Sequence, residues 1–250
     1  MMIRPSLMEM EAYRKDESLR LLPVMKEIFS DFITPITALS ILKNISQNVF
    51  LLESMEDREK WGRYTFLGYD PKQSISCKNG IVESSGLKLP TKDPKTLIRQ
   101  ILQEHKAPKV PGAPSFTGGL VGYFAYDFIQ YEENSLHFSG KDEEDFQDLD
   151  LMLFDKIICF DHFLQKIFLI VNMSLSEGEA GYKRAVLELE NMHRLLKCGA
   201  EEGRARQMPK RLPPPPQQGR IYANGEEGQE TFEGWRHFPN RSLQQAGSGL

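Results

Sequence analysis

Cysteine is scarce in this sequence, with three in 250 residues: Cys77, Cys159 and Cys198. They lie far apart, lack CxxC or zinc-type spacing, and cannot all pair within one chain, which excludes a disulfide framework. A reducing, cytoplasmic compartment is expected from that usage. A strong charge of one sign is also lacking. The formal net charge is −4, so no electrostatic footprint for nucleic acid or an anionic membrane is present. No run of about 18 apolar residues occurs, and the opening MMIRPSLMEMEAYRKDES has no apolar stretch of the signal-peptide kind, so neither a membrane span nor a leader is expected. The histidines are few and scattered. His105, His137, His193 and His237 fall in no metal-ligand spacing, and no metal site is expected.

What remains is the composition of a soluble globular protein, 40% hydrophobic and 26% charged, long enough for a sizeable core. Residues 6–20 carry Leu7, Met10, Tyr13 and Arg14 at helical spacing. Pro35 opens a second helix at its first turn, with Ile36, Leu39 and Leu42 expected on the buried face. NVFLLES, residues 48–54, is β-branched and apolar and reads as a buried strand. RYTFLGYDP alternates and ends in a Tyr-Asp-Pro turn. KQSISCKNGIVES reads as a hairpin, because Asn79-Gly80 supplies the positive φ angles of a type I′ turn. DPKTLIRQILQEHK is an amphipathic helix capped by Asp93 with Pro94 at its first position.

Further on, Gly118, Gly119 and Gly122 sit in an aromatic, strand-like run, where glycine allows close packing or a bulge. DLDLMLFDKIICFDHFLQKIFLIVNMS reads as two long buried strands meeting near Asp161-His162. The last helix, SEGEAGYKRAVLELENMHRLLK, places Tyr182, Val186, Leu189, Met192 and Leu196 on one stripe. Strands and helices cluster without regular alternation, which predicts an α+β domain over residues 1–197, with antiparallel sheets and packed helices. After it the character changes. Residues 199–250 hold no Val, no Asp and only five of Ile, Leu and Met, against eight glycines and six prolines. By composition the tail, 198–250, is expected to be disordered.

Taken alone, Glu53 and Ser54 at a strand end are a solvated turn, Arg63 and Tyr64 a surface pair, and Trp61 a core residue. Together with their surroundings these pieces resemble the N-terminal half of anthranilate synthase component I. The residues that carry the resemblance are Pro23-Val24, Phe50 to Ser54 (FLLES), and Arg63 to Gly68 (RYTFLG). Gly118 to Tyr123 (GGLVGY) with Tyr126-Asp127, and Asp148 to His162, complete the set in order and spacing. The resemblance implies the N-terminal fold of that family and a place in tryptophan synthesis, in the conversion of chorismate and an amino donor to anthranilate and pyruvate. It also implies a partner, a glutamine amidotransferase (component II), and Mg²⁺ in the full-length enzymes.

In that family the LLES strand helps to form a feedback pocket for tryptophan, so Leu52, Glu53 and Ser54 are the expected effector-binding residues. The chemistry fits the residue types. Glu53 can pair with the effector's ammonium by charge-assisted hydrogen bonds, Ser54 can bond either polar end of an amino acid, and Leu51 or Leu52 can line an apolar slot for the indole. Arg63 is expected to be structural or an effector-side contact. Asp161-His162 matches a structural motif of the family's N-domain, and no catalytic residue is expected in this chain.

The family's chorismate- and Mg²⁺-binding half has no counterpart in these motifs, so no Mg²⁺ is expected to bind here and the chain is expected to be inactive alone. Residues 224–246 admit a second reading. Displaced by one base, their codons allow M-V-K-K-A-K-R-H-L-K-D-G-D-I-F-Q-I-V-L-S-N-R, with the basic positions and the first glycine forced by the code. That peptide is similar to the start of the family's missing half, so a frameshift between Leu195 and Gly219 is expected. Without a domain to cover it, the GGLVGYFAY face is expected to stay exposed. Two alternatives stay open at this point: the aminodeoxychorismate synthase large subunit of folate synthesis, and a tryptophan-binding module without catalysis.

Overall fold

The structure is a computed structural model, and it describes residues 3–53, 63–84, 86–91, 93–133 and 146–207. In chain order the elements are β1 (Ile3–Arg4), α1 (Leu7–Arg14), β2 (Leu21–Phe29), α2 (Pro35–Lys43), β3 (Val49–Glu53), β4 (Tyr64–Tyr69), β5 (Gln73–Lys78) and β6 (Ile81–Ser84). They continue as β7 (Leu87–Pro90), α3 (Pro94–Glu104), β8 (Gly119–Phe124), β9 (Leu149–Phe154), β10 (Lys156–Asp161), β11 (Lys166–Ser174) and α4 (Gly178–Gln207). Every pairing among them is antiparallel, in two sheets ordered β1-β2-β11-β10-β4-β3 and β7-β6-β5-β9-β8. The fold is α+β, as the clustering of elements predicts.

The helix starts follow their capping chemistry. Ser6 and Glu9 form a reciprocal capping box on α1, Thr34 caps α2 ahead of Pro35, and Asp93 caps α3 ahead of Pro94. Asn79 and Gly80 both have positive φ, at 50° and 73°, so the two-residue hairpin between β5 and β6 is built as its sequence requires.

Residues paired across neighbouring strands share a face of the sheet. In the first sheet Leu22, Val24, Lys26 and Ile28 of β2 therefore point the same way as Ile167 and Leu169, Ile158 and Phe160, Leu67, and Leu51. The ion pair from Lys26 to Glu190 of α4 identifies this as the helix-covered face. Met25, Phe168, Ile170, Ile157, Cys159, Phe66 and Phe50 occupy the other face. There Phe50 meets Phe154 and Phe116 edge to face, with ring centroids 4.8 and 6.4 Å apart. A second core, under α3, joins Ile101 to Ile75, Cys77, Val82, Leu149 and Leu151 of the second sheet.

Several expectations are corrected by this architecture. The run from Asp148 is three strands, because the chain leaves the second sheet at Phe154 and enters the first at Lys156. β3 is an edge strand, so Leu52 and Glu53 are exposed. In α2 the buried residues are Ala38, Ile41 and Leu42, while Ile36 is exposed. The cause is α4, where the side chain of Ile41 fills the space beside Gly199 and turns the buried stripe toward that helix. The last helix also continues past Lys197 to Gln207. Ala200 is buried there, and the residues that follow it, EEGRARQ, include good helix formers. The rest of the expected tail, 208–250, lies outside the described residues, as do Ser54, Trp61, His137 and His237.

The GGLVGYFAY face is exposed as expected. Tyr123, Phe124 and Tyr126, together with nearby Ile129 and Phe146, are open to solvent. β8 is also an edge strand.

Two polar clusters inside the fold give measurable consequences. Tyr131 donates its hydroxyl proton to Asp148 Oδ2 at 2.6 Å and accepts from the Gly80 N–H at 2.7 Å, tying the hairpin tip to β9. Removing that hydroxyl leaves a buried carboxylate and a turn amide short of partners, so Tyr131→Phe is expected to lower the unfolding free energy by about 1–3 kcal/mol, read from urea unfolding. Lys26, almost fully buried, holds both Glu190 oxygens at 2.7 Å and sits 3.3 Å from His193 Nδ1. Burial first, and then Lys26, hold the His193 pKa below its ordinary value of 6.5. The unfolded chain therefore takes up that proton more readily, and the stability His193 contributes above its unfolded pKa is lost as pH falls. Urea midpoints are expected to drop between about pH 7.5 and about pH 5.5, and His193→Gln is expected to reduce that drop.

Candidate functional site

The expected effector residues lie at the end of β3, where the edge strand leaves the first sheet. Glu53 pairs with Thr65 of β4, and Leu52 with Phe66. Successive side chains on a strand point to opposite faces. Glu53 therefore shares the helix-covered face with Leu51, whereas Leu52 belongs to the opposite, aromatic face with Phe66 and Phe50. On that face Phe66 stands edge to face with Phe116 at 5.7 Å and is tilted against Tyr64 at 5.7 Å. Of the two leucines offered for an indole slot, Leu51 is the one on the side of Glu53. Ser54 lies outside the described residues.

Two carboxylates at this end of the sheet, on β10 and β3, have different fates. Asp161, fully buried at the end of β10, receives Nε and Nη2 of Arg63 at 3.0 and 2.7 Å. The backbone N–H groups of Phe163 and Leu164 donate to its other oxygen, at 3.0 and 2.9 Å. Burial pushes the Asp161 carboxyl up, but the Arg63 hydrogen bonds, the two backbone donors and the Arg63 charge together outweigh it. The group stays below its ordinary value. The same hydrogen bonds raise the Arg63 pKa, and the guanidinium also lies 4.9 Å from the Tyr64 ring centroid. Arg63 and Asp161 are thus a closed clamp between the start of β4 and the turn after β10, in keeping with the structural motif expected at Asp161 and with the structural one of the two roles expected of Arg63.

Glu53 is different. It is exposed, and Thr65 Oγ1 donates to its Oε1 at 3.4 Å, a long contact for an O–H···O bond. A carboxylate has about four acceptor positions, so most of this one is open. Thr65 itself is fully buried, and its hydroxyl lies 2.7 Å from His162 Nε2. Motif reading passed over Thr65 as the partner of Glu53 and gave His162 only a structural place. The signal that could have found them is Thr65 in the apolar-inward half of an alternating strand, since a hydroxyl buried there needs partners.

Chemically, this corner can hold a cation or ammonium at Glu53 beside an apolar surface. Both Asp161 oxygens are engaged by N–H donors, so among the described residues Glu53 has no second open carboxylate beside it. Among the described residues no group of three or more His, Cys, Asp or Glu side chains is arranged to hold a metal ion. No helix of the described residues is long and apolar enough to cross a membrane. At the opposite end of the sheet a cleft of about 430 Å³ is lined by Asp70, Lys72, Asp155, Lys156 and Arg184. Its charges are matched internally, Lys72 to Asp155 at 2.9 Å and Lys156 to Asp70 at 2.6 Å.

Comparison with known proteins bears on what this corner serves. Residues 47–237 match the family model described as chorismate binding enzyme. The chain is 34% identical over 200 residues to anthranilate synthase component 1 of Acetivibrio thermocellus, an alignment covering 77% of this chain and 39% of that protein. It is 35% identical over 181 residues to the protein of the same name from Pseudomonas aeruginosa, covering 68% and 36%. A solved structure of anthranilate synthase component I from Streptococcus pneumoniae aligns at 28% identity with a TM-score of 0.43, over 66% of this chain and 36% of that one. The chain thus spans less than half the length of these relatives, whose names number them as one component of an enzyme. It belongs to the chorismate binding enzyme family, and the relatives it resembles within that family are component I of anthranilate synthase.

Proposed function

We propose that this chain supplies the effector-binding part of component I of an anthranilate synthase, with tryptophan as the effector at Glu53. The observation that carries the reading is the open carboxylate of Glu53 at the exposed end of the FLLES strand. An amino-acid ligand brings an ammonium that Glu53 can accept and a side chain that Leu51 and its neighbours can cover. Ser54 follows directly in the chain and is proposed as the contact for the ligand's other polar end, while Leu52 faces the aromatic side of β3 and is left out of the slot.

The full enzyme's reaction, chorismate and an amino donor to anthranilate and pyruvate, belongs to this proposal only through the relatives. Among the described residues no acid–base pair is free to run it. Asp161 is saturated, and His162 is engaged by Thr65. This chain alone is therefore read as binding effector without turning over chorismate. In the assembled enzyme, a cytoplasmic complex, the proposed partner is a glutamine amidotransferase component. The exposed aromatic edge at Tyr123, Phe124 and Tyr126 supports a further domain of component I packing there. The relatives named above are anthranilate synthases, which favours tryptophan synthesis over the folate-pathway sibling.

The test is titration calorimetry of the full chain with L-tryptophan, with L-phenylalanine as the control. Saturable binding of tryptophan is expected. Glu53→Gln is expected to weaken it tenfold or more, since a hydrogen bond to a charged group contributes about 1.5–3 kcal/mol. No binding by the wild-type chain at millimolar tryptophan, or equal binding by the variant, would overturn the proposal. Formation of fluorescent anthranilate from chorismate and ammonia by this chain alone would overturn its non-catalytic part.

A further inference from the structure

The three side chains Glu53, Thr65 and His162 stand in one row across the ends of β3, β4 and β10. The register puts them there. Glu53 is opposite Thr65, Thr65 is opposite Phe160, and His162 lies two residues beyond Phe160 on the same face. The His162 backbone N–H donates to the Arg63 carbonyl at 2.9 Å, continuing that pairing past the end of β10. Its own carbonyl accepts from Gln165 Nε2 at 2.6 Å. The imidazole is therefore carried by a backbone held on both sides.

The Thr65 hydroxyl has one proton and two acceptors within reach, Glu53 Oε1 at 3.4 Å and His162 Nε2 at 2.7 Å. In the direction that serves Glu53 the histidine donates from Nε2 and the hydroxyl donates to the carboxylate; with the other tautomer the hydroxyl turns to the ring instead. In the first case the chain of bonds runs from His162 Nε2–H to Thr65 Oγ1–H to Glu53 Oε1. Consecutive bonds of this kind polarise one another and strengthen the last donor. Thr65 is fully buried, so water cannot take over its part.

We propose that Thr65 and His162 are positioning residues for the effector site, holding the Glu53 carboxylate through this chain so that its remaining acceptor positions face the ligand ammonium. The inference rests on the reading of Glu53 as the ammonium contact. It goes beyond that reading by naming the residues that orient Glu53 and the tautomer they require. Neither residue touches the ligand. The clamp between Arg63 and Asp161 serves the chain by fixing the turn from which His162 projects.

The experiment separates the two layers. Tryptophan affinity of the full chain is measured by calorimetry for wild type, Glu53→Gln, Thr65→Val, Thr65→Ser and His162→Gln, with melting temperature recorded for each. Thr65→Val keeps the volume and removes the hydroxyl. It is expected to weaken binding about five- to tenfold, the effect of losing one ordinary hydrogen bond behind the ligand contact, while Thr65→Ser stays within about twofold of wild type. Wild-type binding lost in Glu53→Gln but unchanged in Thr65→Val and His162→Gln would overturn the positioning role and leave the effector reading standing. No binding by wild type would instead overturn the effector reading. A readout that needs neither ligand nor substitution is the ¹⁵N spectrum of the histidine rings in the free chain. It is expected to give His162 the Nε2–H tautomer, and an Nδ1–H signature would reverse the chain and sink the proposal even if Thr65→Val failed to fold.

Discussion

The amide of Asn172 is the constraint on which the two-sheet arrangement depends. It is buried, and its Nδ2 donates to the Thr117 carbonyl at 2.6 Å and to the Asp155 carbonyl at 3.2 Å. The Asn172 backbone N–H reaches the same Asp155 carbonyl at 2.9 Å. Asp155 is the residue at which the chain passes from β9 in one sheet to β10 in the other, and Thr117 ends the segment that crosses under the first sheet. One amide thus fixes the hand-over point, the crossing segment and β11 to each other. Gly118 follows because a side chain there would collide with that amide. Replacing the side-chain amide with an apolar group would take the donor from the Thr117 carbonyl, which costs about 1–3 kcal/mol, while the Asp155 carbonyl would keep the backbone N–H.

From that junction the position of the candidate site follows by register alone. β10 starts at the hand-over and ends six residues later at Asp161. β4 and β3 lie beyond it in antiparallel order, so their ends near Asp161 are Tyr64 and Glu53. β3 has no partner on its outer side among the described strands, and an edge strand leaves unpaired N–H and C=O groups for another chain or ligand to meet. The same is true of β8 in the second sheet, with its exposed aromatics, and of β1 and β7 at the far edges. Two of these four edges, β3 and β8, carry motifs, FLLES and GGLVGY, through which the sequence resembles its family.

Much of this was legible in the sequence, for identifiable reasons. Helix starts at Ser6, Thr34 and Asp93 and the Asn79-Gly80 turn were readable because their chemistry is local, a side-chain acceptor or a positive φ within four residues. The break at Asp155 was not, because nothing in FDKI differs from a continuous strand. The break is imposed by Asn172, seventeen residues away. β3 read as buried for a similar reason. Hydrophobic residues describe a strand's composition, but its place at an edge depends on sheet order, which no local pattern carries. Glu53 could be named from its motif, whereas Thr65 and His162 needed the register that brings three strand ends together.

The contrast between the two carboxylates at this corner explains why one keeps open acceptor positions and the other does not. Asp161 is buried, and a buried carboxylate is tolerated only when its charge is met by donors. Arg63 and two backbone N–H groups meet it, and no acceptor position of consequence remains. Glu53, at the solvent edge, never carried that desolvation cost and needs no such enclosure. It is held by one hydroxyl, itself buried and oriented by an imidazole. A ligand ammonium arriving there gains a charge-assisted bond without first breaking an ion pair, which Asp161 could not offer. In this corner stability and recognition are divided between neighbouring carboxylates, with Arg63 on the structural side of the division.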